Sequence, residues 1–231
     1  MHNTKILVVL GIMLLIVGCV PSLHPLFTEK DLVFEPALVG TWTEEEGKDT
    51  WTFQKSGDNT YDLVITDKMT LFPYEETSKE IVSKFDAYLV KLDKFLFLDI
   101  FPKEPEIKGV MYKFHLIPVH TFWRVWIEGD ILRLATLNYD WFKDMAKSKK
   151  ISIPHERLDE HLAERLGGGT NSIILLTAST KELHEFVVKY AEDNKAFQPG
   201  ELHRQKDQEK TSLGKETQRE NAKNTAKPMG K

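Results

Sequence analysis

Cys19 is the only cysteine in the 231-residue chain, and it follows a twelve-residue apolar run, Ile6 to Val17, and Gly18. A lone thiol has no disulfide partner within its own chain, so its chemistry is modification or oxidation rather than cross-linking. The other reactive side chains are scattered. His115, His120, His155, His161 and His184 show no ligand spacing. His155 and His161 are six apart, and the position that would complete a His-Glu-x-x-His pair on one helix face is Asp159. Asp99 interrupts the apolar run Phe97 to Phe101, and a carboxylate buried there needs a partner. No serine elbow, phosphate loop or cysteine nucleophile is present. Gly167-Gly168-Gly169-Thr170 lacks the lysine of a phosphate loop and reads as a helix stop. No catalytic residue, metal site or cofactor is expected, so the chain is read as not an enzyme.

The apolar run is too short to span about 30 Å of hydrocarbon as a helix, which takes roughly 20 residues. With Lys5 before it, it has the form of a secretory signal peptide over residues 1–18. Its end, Ile16-Val17-Gly18-Cys19, resembles the lipobox of bacterial lipoproteins at all four positions. That resemblance implies a diacylglycerol on the Cys19 sulfur, cleavage just before it and acylation of the new amine. A protein so modified stays on a membrane, because two or more acyl chains give stable anchoring where one does not. It would live in the bacterial cell envelope. Val20, where an Asp would favour retention at the inner membrane, points to the outer membrane if the cell is Gram-negative.

Removing residues 1–18 leaves enough chain for one domain with appendages. The content is 41% hydrophobic and 29% charged, and the net charge of −4 is too small to argue for nucleic acid or any other charged partner. Residues 19–38 contain Pro21, Pro25 and Pro36 and read as a tether, with Leu23, Leu26 and Phe27 able to dock back on the body. Residues 39–200 then change to short apolar segments split by turns. Strands are expected at Gly40-Thr41-Trp42, Lys48–Lys55, Tyr61–Thr66, Ser83–Leu92, Lys94–Ile100 and Val110–Ile117. Thr121–Ile127 and Ile131–Leu137 form a hairpin around Gly129-Asp130. About eight strands at this spacing predict a mainly β (α+β) domain built as an antiparallel barrel or sandwich.

Helical spacing follows at Asp140–Lys147 and Pro154–Leu166, then a β-type run at Ser172–Ala178 taken as the last strand. Ser179-Thr180-Lys181-Glu182 has capping-box spacing and opens a C-terminal helix with Leu183, Phe186, Val187 and Tyr190 on one face. Residues 201–231 contain no aromatic and carry eight Lys and Arg against five Asp and Glu. They are expected to form a disordered polar tail.

Gly40-Thr41-Trp42 resembles the Gly-x-Trp motif of lipocalins and related small barrels. The resemblance implies that Trp42 plugs the closed end of a barrel and that a basic residue from a late strand packs across it. Arg124 and Arg133 are the candidates for that barrel-closing role. Trp51, Phe53, Tyr61, Tyr88, Trp123 and Trp126 are candidates to line a ligand cavity, since an eight-stranded barrel either fills its interior with side chains or holds one small ligand. Alternation sorts Trp123 and Val125 to one face and Phe122, Arg124 and Trp126 to the other. The expected function is a lipid-anchored, non-catalytic barrel that binds a small apolar or amphipathic ligand. The alternative is an envelope protein-interaction or structural module with a filled core.

Overall fold

The computed structural model describes residues 20–44, 49–69, 79–104, 107, 109–158 and 173–206. The apolar run, Cys19, His161, the three glycines at 167–169 and the chain beyond 206 lie outside them.

Seven strands run as an antiparallel meander: β1 (Gly40–Thr43), β2 (Thr50–Lys55), β3 (Thr60–Met69), β4 (Lys79–Leu92), β5 (Phe95–Pro102), β6 (Thr121–Glu128) and β7 (Ile131–Thr136). A short pair, β8 (His155–Leu158) and β9 (Ile173–Leu176), forms its own two-stranded sheet. The last strand, β10 (Gly200–Arg204), pairs with β7 on one side and β1 on the other and closes an eight-stranded barrel. The expected mainly β, lipocalin-like barrel is therefore present.

The two ends of the barrel differ. At one end the strands are joined by tight turns: Ser56 to Asn59, Asp93-Lys94 and Gly129-Asp130. Asp93 and Gly129 take the left-handed conformation there, with φ of 56° and 62°. At the other end the connections are long, and one of them, residues 137–199, holds everything between β7 and β10. The described part of that excursion carries α2 and α3 and packs on the outside of the barrel. Three α-helices are described: α1 (Val110–Phe114), α2 (Tyr139–Lys147) and α3 (Thr180–Tyr190). The Asn138 side chain caps α2 by accepting from Trp141 N (2.9 Å). Ser179 and Glu182 cap α3 reciprocally, as their spacing predicts.

Alternation sorts the barrel side chains into two cores. Trp42, Phe53, Leu63, Leu89, Leu98, Trp123, Val125 and Leu132 point inward. Val90, Phe97, Phe122 and Ala135 point outward and are covered by α2, α3, the β8–β9 pair and the N-terminal segment. This second core makes the strands of β4 to β7 apolar on both faces, which accounts for the solid apolar run in β5.

Four expectations change. The segment at Val110–Ile117 is not a strand; it contains α1, and its apolar residues are exposed. His155–Leu158, expected to be helical, is strand β8, Pro154 before it is not helical, and residues 159–166 of that expected helix lie outside the described residues. Ile173–Leu176 is a strand but not the last of the barrel. The closing strand is β10, so residues 201–204 belong to the barrel rather than the tail, and the boundary at residue 200 moves beyond 204.

Residues 20–38 form a strap rather than a free spacer. Ser22 exchanges both backbone hydrogen bonds with His120 (2.9 and 2.8 Å) and Leu176 N donates to Pro21 O (2.8 Å). Val20 is only 3% exposed and Leu26 is fully buried, whereas Leu23 remains exposed. The strap runs from the start of β6 down the outer face of β5 and β4, bridges Val90 at Leu32, and crosses the closed end through Val33 to Val39.

Candidate functional site

At the closed end, Gly40 has a φ of +134°, a conformation that side chains rarely adopt. A Cβ there would lie 2.6 Å from the Arg204 guanidinium. Glycine thus lets the guanidinium settle over the indole of Trp42, 4.1 Å from the ring centroid. Arg204 also donates to the carbonyls of Val39 (2.8 Å) and Ala37 (2.5 Å). Trp42 Nε1 donates to Leu38 O (2.9 Å). Tyr61 finishes the plug: its hydroxyl accepts from Glu35 N (2.6 Å), and Phe34 stacks on its ring. Burial pushes the Tyr61 phenol above its ordinary range.

The basic residue over Trp42 is therefore Arg204, and neither Arg124 nor Arg133 takes that role. Both project outward. Arg124 lies over the rings of Phe95 and Trp126 and donates to the carbonyl of Ala191 at the end of α3. Arg133 bridges Glu128 and Glu201 on the exposed face. The sequence does not mark Arg204, because β10 contributes only Leu202 as an inward apolar residue. The usable signal was the alternation Gly200, Leu202, Arg204, all on one face.

The six candidate ligand-contact residues divide. Phe53 and Tyr61 are fully buried inside the barrel, and Trp123 is 8% exposed. Trp51 is half-buried nearer the open end and meets Trp123 edge to face, with centroids 5.4 Å apart. Ile65 and Phe85 are half-buried around the same rim. Tyr88 and Trp126 are outside: Phe27 of the strap stacks on Tyr88 at 4.2 Å, and Trp126 lies under Arg124. Below the rim, Trp42, Phe53, Leu63, Ala87, Leu89, Leu98 and Leu132 are all fully buried, so side chains fill this part of the barrel. A shallow groove of about 580 Å3, with Trp141, Met145 and Lys195 on its walls, lies outside the barrel between α2 and the loop after α3. Asp67, on the inward-facing register near the rim, has its carboxyl pushed up by burial and by the neighbouring Asp49.

Asp99 faces the outer core and is fully buried. Its Oδ2 accepts from Leu26 N of the strap (2.7 Å), and His120 Nδ1–H donates to its Oδ1 (2.8 Å). Burial raises the carboxyl above its ordinary range, and the His120 hydrogen bond opposes that rise. The partner expected for this residue is thus a histidine and a backbone amide. His184 Nε2–H donates to Leu26 O (2.6 Å) and Thr180 Oγ1 to Pro25 O (2.8 Å), so the strap is clasped from both sides. His155 Nδ1–H donates to Ile153 O (2.8 Å). These three histidines act as structural donors.

Asp99→Leu strands the Leu26 N–H and is expected to cost about 1–3 kcal/mol, read by urea unfolding. Asp99→Asn keeps an acceptor for Leu26 and is expected to cost less. Wild type and these variants also differ in pH dependence, because neither Leu nor Asn titrates. With a raised native pKa, the unfolded chain releases the Asp99 proton first. The residue's contribution to stability therefore falls as pH rises from about 3.8 through the raised value. Asp99→Asn removes that slope, so its stability relative to wild type should improve across that window. An unchanged difference between pH 3 and 7 would contradict it.

No protein-family model, curated protein or solved structure matches this chain.

Proposed function

We propose that this protein is a bacterial envelope lipoprotein, acylated on Cys19, whose barrel is a non-catalytic interaction module at the membrane. The filled interior carries the choice of module over ligand carrier: below the rim, seven inward side chains have no exposed surface. A carrier of the lipocalin type would keep apolar volume there for its cargo. The polar groups packed on the barrel also support a structural reading, because Asp99, His120, Tyr61 and Arg204 all bond to the chain's own backbone or side chains.

A second reading rests on the rim. Trp51, Ile65 and Phe85 are only half-buried, and Trp51 meets Trp123, an apolar surface that a small amphipathic ligand could reach. Native mass spectrometry of the mature protein separates the two. An empty barrel is the expected result, and a stoichiometric co-purifying lipid beyond the anchor favours the ligand reading.

The anchor has its own test. Cys19→Ala is expected to abolish incorporation of labelled fatty acid, to leave the precursor uncut and to leave no acyl-anchored form in the membrane fraction. Normal maturation of that variant, with acyl label retained, would sink the lipoprotein reading.

A further inference from the structure

Segment 110–117 is apolar and unusually bare. Val110 and Phe114 are each 81% exposed, Ile117 75%, Met111 74% and Tyr112 63%. Large exposed apolar patches on a folded domain mark a binding surface for protein or lipid. The segment connects β5 to β6, so it stands at the open end of the barrel. Three residues after it comes His120, whose backbone is bonded in both directions to Ser22 of the strap. Val20, two residues before Ser22, is packed into the outer core. Only one peptide unit separates Val20 from Cys19, about 3.8 Å between their Cα atoms.

We propose that the open end of the barrel faces the bilayer and that segment 110–117 inserts into the membrane interface beside the acylated Cys19. The inference rests on the lipoprotein reading and specifies the orientation that this reading leaves open. A strap bonded to the body at residues 21–23 leaves the anchor almost no slack, so the surface around Ser22 and His120 is held against the headgroups. Apolar side chains on that surface meet lipid rather than water. Insertion supplies a second membrane contact next to the acyl chains, the arrangement that makes anchoring stable. The same orientation puts the rim of Trp51 and Trp123 on the membrane side. β10 leaves the barrel at the opposite end, with Gln205 N bonded to Thr41 O.

The test uses the full acylated protein in phosphatidylethanolamine–phosphatidylglycerol vesicles. With Cys19 acylated, Phe114→Cys supplies the only free thiol for a nitroxide label, and Asp58→Cys, in the exposed turn at the closed end, is the control. Both positions are exposed, so neither label disturbs the core. At position 114, oxygen is expected to relax the label more effectively than a water-soluble nickel chelate. At position 58 the order is reversed. A protein that pellets with vesicles while its 114 label behaves like its 58 label overturns the proposal and leaves a protein partner as the occupant. Dipolar broadening between 114 labels points to a second copy and also overturns it. A preparation that carries no acyl group and does not pellet removes the lipoprotein reading itself, and the proposed orientation with it.

Discussion

Replacing Trp42 with alanine is expected to lower the thermal midpoint of the mature protein by about 6–20 °C. The estimate takes about 3–5 kcal/mol for truncating a buried tryptophan and about 2–4 °C per kcal/mol for a domain of this size. Three losses act together. Trp42 has no exposed surface, so its removal leaves a cavity at the closed end. Leu38 O loses its indole donor. Arg204 loses the ring beneath its guanidinium and retains only carbonyl contacts and its ion pair with Asp130. Trp126→Ala is the matched control, because that indole is half-buried on the outer face. Unfolding followed by circular dichroism should rank the two variants far apart, and a Trp42→Ala midpoint within about 2 °C of wild type would refute this account of the closed end.

Ending the chain after Pro199 is expected to prevent folding, whereas ending it after Lys206 is expected to leave the thermal midpoint unchanged. The seven residues between the two ends contain all of β10. Without them β1 and β7 each lose a neighbour, and two strand edges open where the barrel had none. Trp42 also loses Arg204. Beyond Lys206 the composition promises no packed core. The pair can be compared by soluble yield and far-ultraviolet circular dichroism. A soluble, cooperatively folding chain ending at 199 would show that the barrel does not need its eighth strand.

The barrel was legible where a strand declared both of its faces. Trp51 and Phe53 alternate with threonines, and Gly129-Asp130 sits between two apolar runs; both features survived folding unchanged. The closing strand was not legible because its inward face carries a glycine, one leucine and an arginine. An arginine is a poor core residue until an indole and two carbonyls receive it, and those partners lie far away in sequence. The opposite error came at 110–117, where apolar alternation suggested a ladder. Those side chains are apolar without being buried, and periodicity reports only a contrast between faces, not which medium each face meets. The spacing of Leu158, Leu162 and Leu166 likewise suggested a helix, yet the first of these ends a strand paired with β9. Of the candidate site, Trp42 lies on a strand that the sequence marks, whereas the arginine over its ring lies on β10, which the sequence does not mark. Asp99 was recognised as needing a partner, but a histidine twenty-one positions away and an amide seventy-three away could not be picked out from a single chain.

Closure by β10 also sets an order of events. Arg204 meets Val39 across 165 positions of chain. During synthesis β1 therefore has only β2 beside it until nearly the whole domain has emerged, and the excursion of residues 137–199 must be laid down first. Such distant pairing slows folding, because loop-closure entropy is lost before the contact rewards it. Until β10 arrives, β1 and β7 keep unpaired edges, and the emerging chain depends most on chaperoning during that interval.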